Sequence, residues 1–174
     1  MQSLVKAGKR RALWEPGPAT REVDLGRDAV LRMLEHRDPF LFVETIRAVD
    51  LEQQALRGER TIAPGDPLFG GHFPGQPLYP GVLQLETMGQ YGLCLLHLAQ
   101  AGRPYVEDTD TPRAVRALRI HHALFLEAVA PGDRLEVMAR TVSCDDYTAV
   151  CAGQIRRGGQ VCALAVMEVY FVHE

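Results

Sequence analysis

Apolar and polar residues alternate with a period of two along the second half of the chain, from Arg113 to Val172. Alternation of this kind predicts β-strands with one buried face, and polar or glycine-rich turns separate the segments. The two turns nearest the C-terminus, Asp145-Asp146 and Gly158-Gly159, predict consecutive antiparallel hairpins. The predicted strands are 114–125, 134–145, 148–157 and 160–172.

A nearly continuous apolar segment, 82–101, has a different pattern and predicts a helix that ends at Gly102 and Pro104. Because little polar face remains on it, we expect this helix to be buried on most sides. Further strands are predicted at 40–50 and 55–62. The pattern therefore favours an α+β fold in which about five or six antiparallel strands wrap around one long central helix. Open sheet edges and spare apolar surface predict an oligomer.

The length of 174 residues suits one domain with a substantial core. We assign residues 26–174 to that single domain and residues 1–25 to an N-terminal extension, which has scattered apolar residues and several prolines and glycines. Trp14 is the exception within the extension. It either anchors the segment on the domain or belongs to a loosely ordered arm.

Composition and charge exclude several classes of function. A net charge of −3 gives no reason to expect bulk binding to nucleic acid. The densest apolar run, 91–99, is too short to span a membrane, which takes about 20 residues. No apolar segment follows the basic N-terminus, so we expect no secretory signal and a cytoplasmic location. Four cysteines without C-x-x-C spacing predict reduced thiols and no metal site.

The candidate chemistry lies where a proline- and glycine-rich loop, 70–81, leads into the apolar helix. The loop carries His72, and the helix carries Glu86 near its beginning with Gln90 one turn later on the same face. A histidine close to a carboxylate of a buried helix is typical of an acid–base site. The alternatives are a loop histidine without a chemical role and a partly solvated glutamate that interacts with the helix dipole.

Three stretches of the sequence resemble the (3R)-3-hydroxyacyl-[acyl-carrier-protein] dehydratases of the FabZ type. The segment 71–90 is similar to their signature, G-H-F-P-G-x-P-x-x-P-G-V-L-x-x-E-x-M-x-Q. Upstream, 34–43 is similar to L-P-H-R-x-P-F-L-L-V, and downstream, Phe125 with 129–135 is similar to F-x-x-P-V-x-P-G-D-x-L. The resemblance implies the hot-dog fold, a curled antiparallel sheet around a central helix.

The resemblance also implies roles for individual residues. His72 would remove a proton from C2 of a 3-hydroxyacyl thioester, and Glu86, kept protonated or sharing a proton in a dry site, would donate to the departing hydroxyl. Backbone N–H groups of Gly81 and Val82 would stabilise charge on the thioester oxygen, and Gln90 would orient Glu86. Related isomerising dehydratases usually have aspartate at the position of Glu86, which favours simple dehydration.

Partners follow from the same resemblance. The family implies a homodimer with active sites shared between subunits, in which His72 and Glu86 come from opposite chains, and often a trimer of dimers. The substrate is carried on the phosphopantetheine of an acyl carrier protein. Neither a metal nor another cofactor is implied.

The sequence departs from the family pattern after Phe125, where basic residues and a proline are usual and residues 126–128 are Leu-Glu-Ala. Carrier proteins are acidic, so Arg113, Arg116 and Arg119 are candidates for a replacement docking surface, or form a solvated strand face. The departure suggests a specialised paralogue in a polyketide or aryl-polyene pathway rather than in fatty-acid synthesis.

Four residues near the candidate site are expected either to line a substrate tunnel or to pack in the core: Phe73, Tyr79, Leu83 and Met88. Two other functions remain open for the same fold. One is a hot-dog thioesterase, and the other is a non-catalytic subunit that binds acyl chains. The presence of both His72 and Glu86 weighs against each of them.

Overall fold

The computed structural model describes residues 1–172, so the last two positions of the domain assigned to 26–174 lie outside the described residues. The helices are α1 (Gln2–Gly8), α2 (Arg27–Met33) and α3 (Gly81–Ala101), and a short 3-10 turn spans Pro67–Gly70. The strands are β1 (Arg21–Leu25), β2 (Thr45–Asp50), β3 (Ala55–Thr61), β4 (Val115–Phe125), β5 (Arg134–Cys144), β6 (Thr148–Arg157) and β7 (Gln160–Phe171).

One antiparallel sheet of seven strands, in the order β1-β2-β3-β5-β6-β7-β4, contains all of the described strands. The predicted α+β fold with a curled sheet around a long helix is confirmed, as are the β5–β6 and β6–β7 hairpins. Strand β4 pairs with β7 rather than with its sequence neighbour β5, and it forms one edge of the sheet. At the opposite edge lies β1, which the hydrophobic pattern did not indicate.

Helix α3 packs on one face of the sheet, against β5 and β6. Two strand glycines permit the close approach. A Cβ on Gly58 would lie 2.3 Å from the ring of Tyr91, and a Cβ on Gly153 would lie 2.5 Å from Met88. The fully buried Tyr91 hydroxyl donates to the carbonyl of Glu59 at 2.6 Å, which meets its hydrogen-bonding need. Helix α3 begins and ends within one residue of the predicted bounds. Gly102 follows it with a positive φ of 66°.

The N-terminal segment packs on the opposite face of the sheet. In β7, Ala163 and Ala165 belong to the core beneath α3, whereas Leu164 and Val166 form a second apolar cluster with Trp14 and other N-terminal residues. The buried side chain of Gln154 also binds this segment, because it donates to the carbonyls of residues 8 and 11 and accepts from the N–H of residue 13. Of the two alternatives for this extension, the structure therefore supports the anchored one.

Replacing Trp14 with alanine is expected to lower the free energy of unfolding by about 3 kcal/mol. The indole is only 4% exposed, and its Nε1–H donates to the carbonyl of Leu56 at 3.1 Å. The substitution would leave a cavity and remove this buried hydrogen bond. Guanidinium titration at fixed protein concentration measures the change. The exposed neighbour Glu15→Ala is the matched control and should stay within about 0.5 kcal/mol of wild type.

Candidate active site

The loop before α3 holds His72 by its backbone and by its ring. The N–H of His72 donates to the carbonyl of Leu68 at 3.0 Å, at the end of the 3-10 turn. The ring Nδ1 lies 2.9 Å from the carbonyl oxygen of Leu78. Since a carbonyl can only accept, the proton of the neutral ring is on Nδ1 and Nε2 keeps a free lone pair. His72 is therefore oriented as a base.

Phe73 stabilises this arrangement at the expense of backbone strain. Its φ is +60°, a conformation that a bulky residue rarely adopts. Its ring lies against the His72 ring, with the centroids 4.1 Å apart. Strain of this kind commonly occurs at functional sites, where the surroundings hold it in place.

Glu86 lies on α3 within a network of polar contacts. Gln90 is completely buried, and its Nε2 donates to Glu86 Oε1 at 2.9 Å and to the carbonyl of Phe40 at 2.9 Å. Its Oε1 accepts from the N–H of Phe42 at 2.7 Å. Because the amide is held at both ends, it gives the Glu86 carboxyl a defined orientation. The orienting role expected for Gln90 agrees with these contacts.

His36 is the second partner of Glu86, and sequence reasoning missed it. Its Nε2 lies 3.3 Å from Glu86 Oε1. This residue follows α2 and is distant in sequence from Glu86, so no helical spacing linked the two. The available signal was its position within the segment 34–43 that resembles the dehydratases.

The surroundings of Glu86 act on its pKa in opposite directions. The hydrogen-bonding contact from His36 is the largest influence, and together with the amide of Gln90 and the charge interaction with His36 it outweighs partial burial. The pKa of Glu86 is therefore lowered rather than raised. Burial is thus not the dominant effect in the single chain, which disfavours a permanently protonated glutamate, and the alternative of a shared proton stays a prediction.

His72 and Glu86 line separate cavities within one chain. Glu86 lies in a cavity of about 370 Å³ together with His36, Gln90 and residues of β4 and β7. His72 lies in a cavity of about 330 Å³ together with Gly81, Gln84 and residues 125–129. The two linings have no residue in common. Within a single chain, the two candidate catalytic groups therefore lie in different cavities near the start of α3.

The start of α3 provides free backbone donors between these cavities. Among the described residues, no acceptor lies within hydrogen-bond distance of the N–H groups of Gly81 and Val82, whereas the next two N–H groups bind the carbonyl of Pro80. Gly81 lines the His72 cavity, and Val82 lines the Glu86 cavity. A Cβ on Gly81 would lie 3.0 Å from the ring of Phe125, so glycine permits this close packing.

The four candidate tunnel residues differ in their surroundings. Tyr79 lines the His72 cavity and is 3% exposed, whereas Phe73 is 56% exposed. Met88 is buried in the core, and Leu83 packs against the same core. Their assignment to a tunnel stays a prediction.

The three candidate docking arginines are exposed and lie along or just before β4. Arg119 lines the Glu86 cavity. Arg113 and Arg116 line a neighbouring cavity of about 270 Å³, which shares His36, Leu93 and Val115 with it. The Arg113 guanidinium lies 3.7 Å above the ring of Phe171.

Further observations concern metals, membranes and the cysteines. Within residues 1–172, no group of three or more potential ligands among histidine, cysteine, aspartate and glutamate is arranged to hold a metal ion. The helices of this described part of the chain are all too short or too polar to cross a membrane. All four cysteines are free thiols.

The sequence model of the FabA-like domain matches residues 34–165, which include His36, His72, Glu86 and Gln90. The chain belongs to the FabA-like family. Within it, the chain is 34% identical over 122 residues to the 3-hydroxyacyl-[acyl-carrier-protein] dehydratase FabZ of Bradyrhizobium sp. (strain BTAi1), a match that covers 70% of this chain and 76% of that protein. The FabZ of Aliarcobacter butzleri is 32% identical over 143 residues, covering 82% and 95%. The chain is thus a FabZ-type dehydratase by sequence.

Structural comparison supports the hot-dog fold of the FabA-like family. The dehydratase heterocomplex ApeI:P from Xenorhabdus doucetiae aligns with a TM-score of 0.62 at 16% identity, covering 84% of this chain and 92% of that chain. At this identity the likeness shows the fold alone. The family match begins at residue 34, so the N-terminal segment that packs on the outer face of the sheet lies outside it.

Proposed function

We propose that this protein dehydrates (3R)-3-hydroxyacyl-[acyl-carrier-protein] to the trans-2-enoyl thioester and water in fatty-acid biosynthesis. One observation carries the proposal. In a chain of the FabZ type, His72 is oriented with Nε2 free in the loop before α3. Glu86 is held by Gln90 near the start of α3. A base and a positioned carboxyl are the two groups that elimination of water requires.

The proposal includes a homodimer in which each site takes His72 from one chain and Glu86 from the other. Its support is the separation of the two groups into different cavities of one chain. A further support is strand β4, which lies at a sheet edge and exposes Leu118 and Ile120 by 52% and 56%. An exposed apolar edge strand is suited to pair with a second copy. Assembly of three dimers into a hexamer stays a prediction.

In the proposed mechanism, Nε2 of His72 takes the proton from C2, and the electron pair of the broken C–H bond forms the C2–C3 double bond. The C3–O bond breaks, and the departing hydroxyl takes a proton from Glu86 of the neighbouring subunit, leaving as water. After product leaves, the proton held by His72 is again shared between His72 and Glu86. Because the contacts of the single chain lower the pKa of Glu86, the proposal gives the active site one proton that is shared between His72 and Glu86 rather than a permanently protonated glutamate.

Negative charge develops on the thioester oxygen when the C2 proton leaves. The free N–H groups of Gly81 and Val82 at the α3 start are suited to bind that oxygen, since the helix dipole adds to their hydrogen bonds. The proposal needs no cofactor beyond the phosphopantetheine arm of the substrate.

We expect Arg116→Glu to raise KM for a carrier-protein substrate by several-fold to about tenfold while kcat changes little. The substituted charge repels the acidic carrier, but it does not touch the reacting atoms. Steady-state rates with a carrier-protein substrate and with a short pantetheine thioester measure the effect, and only the first should respond. Arg10→Glu, an equal charge change on the exposed N-terminal segment, is the control. Equal KM values for Arg116→Glu and wild type would remove this surface from the proposal.

The decisive experiment incubates the wild-type protein with a 3-hydroxyacyl carrier protein and follows the acyl group by mass. Loss of 18 mass units from the carrier-bound acyl group supports dehydration. Release of free acid would instead indicate a hot-dog thioesterase. Binding without reaction, with activity only after addition of a second hot-dog chain, would indicate a non-catalytic subunit. Acyl groups of different length and polarity in the same assay distinguish fatty-acid from polyketide or aryl-polyene substrates.

A cytoplasmic location stays a prediction of the sequence.

A further inference from the structure

Both polar partners of Glu86 bind the same carboxyl oxygen. Gln90 Nε2 lies 2.9 Å and His36 Nε2 lies 3.3 Å from Oε1. Within the described chain, Oε2 takes part in no hydrogen bond. The carboxyl therefore has one oxygen fixed by the protein and one oxygen left for chemistry.

We propose that His36 is a positioning residue for the dehydration, which selects Oε2 of Glu86 as the oxygen that exchanges a proton with the substrate. The inference rests on the proposed function and adds a residue to its machinery. His36 acts through Glu86 and makes no contact with the reacting atoms.

The ring of His36 is suited to donate to a carboxylate. Its Nδ1 is buried and has no hydrogen-bond partner among the described residues. A proton on Nδ1 would leave a buried donor unpaired, which is unfavourable. The neutral ring therefore carries its proton on Nε2, the nitrogen that faces Glu86. With Nε2 3.3 Å from Oε1, an N–H at this position stabilises the carboxylate electrostatically.

Two donors on one oxygen determine where the proton of a protonated Glu86 is placed. Oε1 accepts from Gln90 and lies 3.3 Å from Nε2 of His36, so a proton on that oxygen would face two N–H groups. The proton is then carried by Oε2. Without His36, Oε1 keeps a single donor and the carboxyl can turn about its terminal bond, because such torsions are broad and nearly two-fold.

Charged groups from other elements also face this cavity. They are Arg119 of β4 and Glu168 of β7, and in the proposed dimer the partner's His72 joins them. Glu168 is itself paired, since its Oε2 lies 2.9 Å from His121 Nε2. His36 is nevertheless the largest influence on Glu86, and the opposing influence is burial. Removing His36 therefore raises the pKa of Glu86.

The test compares His36→Leu and His36→Gln with wild type. Leucine removes the donor, whereas the amide of glutamine can donate to Oε1 in place of Nε2. We expect kcat to fall about tenfold or more in His36→Leu, with KM little changed, and to recover in part in His36→Gln. The acid limb of the kcat profile, which reports the second protonation of the shared pair, should move to higher pH in His36→Leu.

Three controls separate positioning from other effects. In the Glu86→Gln background, His36→Leu should have almost no further effect, because its target is gone. His97→Leu removes a different imidazole, one carried by α3 itself, whose Nε2 lies 3.5 Å from Asp110 Oδ2. This substitution should leave the acid limb of the kcat profile in place. A ¹³C titration of the Glu86 carboxyl, assigned with Glu86→Gln, should show a higher pKa in His36→Leu whether or not the protein is a dehydratase.

The outcomes distinguish this inference from the proposed function. An unshifted Glu86 titration in folded His36→Leu, or an equal loss of kcat in the wild-type and Glu86→Gln backgrounds, would overturn the role of His36 alone. If the wild type forms no enoyl thioester but the carboxyl titration shifts as expected, the contact stands and the assigned reaction is wrong. Should His36→Leu fail to fold, His36→Gln and the same titration decide.

Discussion

His72→Ala is expected to lower kcat for dehydration by about 10²–10⁴-fold, the contribution of a positioned general base. The substitution removes Nε2, the nitrogen that the Leu78 carbonyl leaves free by holding Nδ1–H. The other titratable side chains that line this cavity within the described residues are Glu127, an exposed carboxylate, and Tyr79, a phenol whose pKa is raised by burial. The mass assay with a 3-hydroxyacyl carrier protein measures the rate.

The control for this prediction is His122→Ala, a half-buried histidine of β4 that lines neither the His72 nor the Glu86 cavity. It should keep a rate close to that of wild type. The His72 variant should remain folded, because the residue lies in a partly exposed loop. A wild-type rate in His72→Ala would contradict the mechanism, since the proposal then has no base.

Mixing two inactive variants is expected to restore about a quarter of the wild-type rate, if His72→Ala and Glu86→Gln chains are unfolded together and refolded. Random pairing makes half of the dimers heterodimers. In each heterodimer one site carries both substitutions and the other site carries neither, provided that the two groups come from opposite chains. Each variant refolded alone should stay nearly inactive.

A complementary mixture tests the same geometry in reverse. When wild type is refolded with the double variant His72→Ala/Glu86→Gln, every site of the heterodimer lacks one group, so heterodimers should contribute no activity. If both groups of a site came from one chain, the first mixture would stay inactive. In the second mixture, each heterodimer would then keep one working site. Wild-type homodimers keep about a quarter of the rate in the second mixture in either case, so about half of the wild-type rate there, with no activity in the first mixture, would show that His72 and Glu86 act within one subunit, against the separation of their cavities.

Much of the fold was predictable from local pattern because its long elements have strong periods. The alternation from Arg113 onward predicted four strands, and the apolar run predicted α3 to within one residue. The short elements were not predictable in the same way. Strand β1 and helix α1 span five and seven residues, too few for a period to stand out, and both depend on tertiary packing.

The candidate site divides along the same line. Glu86 and Gln90 are one helical turn apart, so sequence spacing alone places them together. His36 reaches Glu86 only because the chain after α2 folds back over α3, a long-range contact that periodicity does not encode. The pKa of Glu86 depends on the same long-range contacts. A buried carboxyl is expected to be neutral, but the direction of its pKa shift depends on which donors the fold brings to it.

The sequence by itself determined the class of this protein, because the motif around His72 and Glu86 and the period of the strands are local properties of the chain. The tertiary structure decided what depends on distance. It placed His72 and Glu86 in separate cavities, brought His36 to Oε1, and packed Trp14 on the outer face of the sheet. Contacts between residues far apart in sequence arise only when the whole core forms, and for that reason no local pattern could predict them.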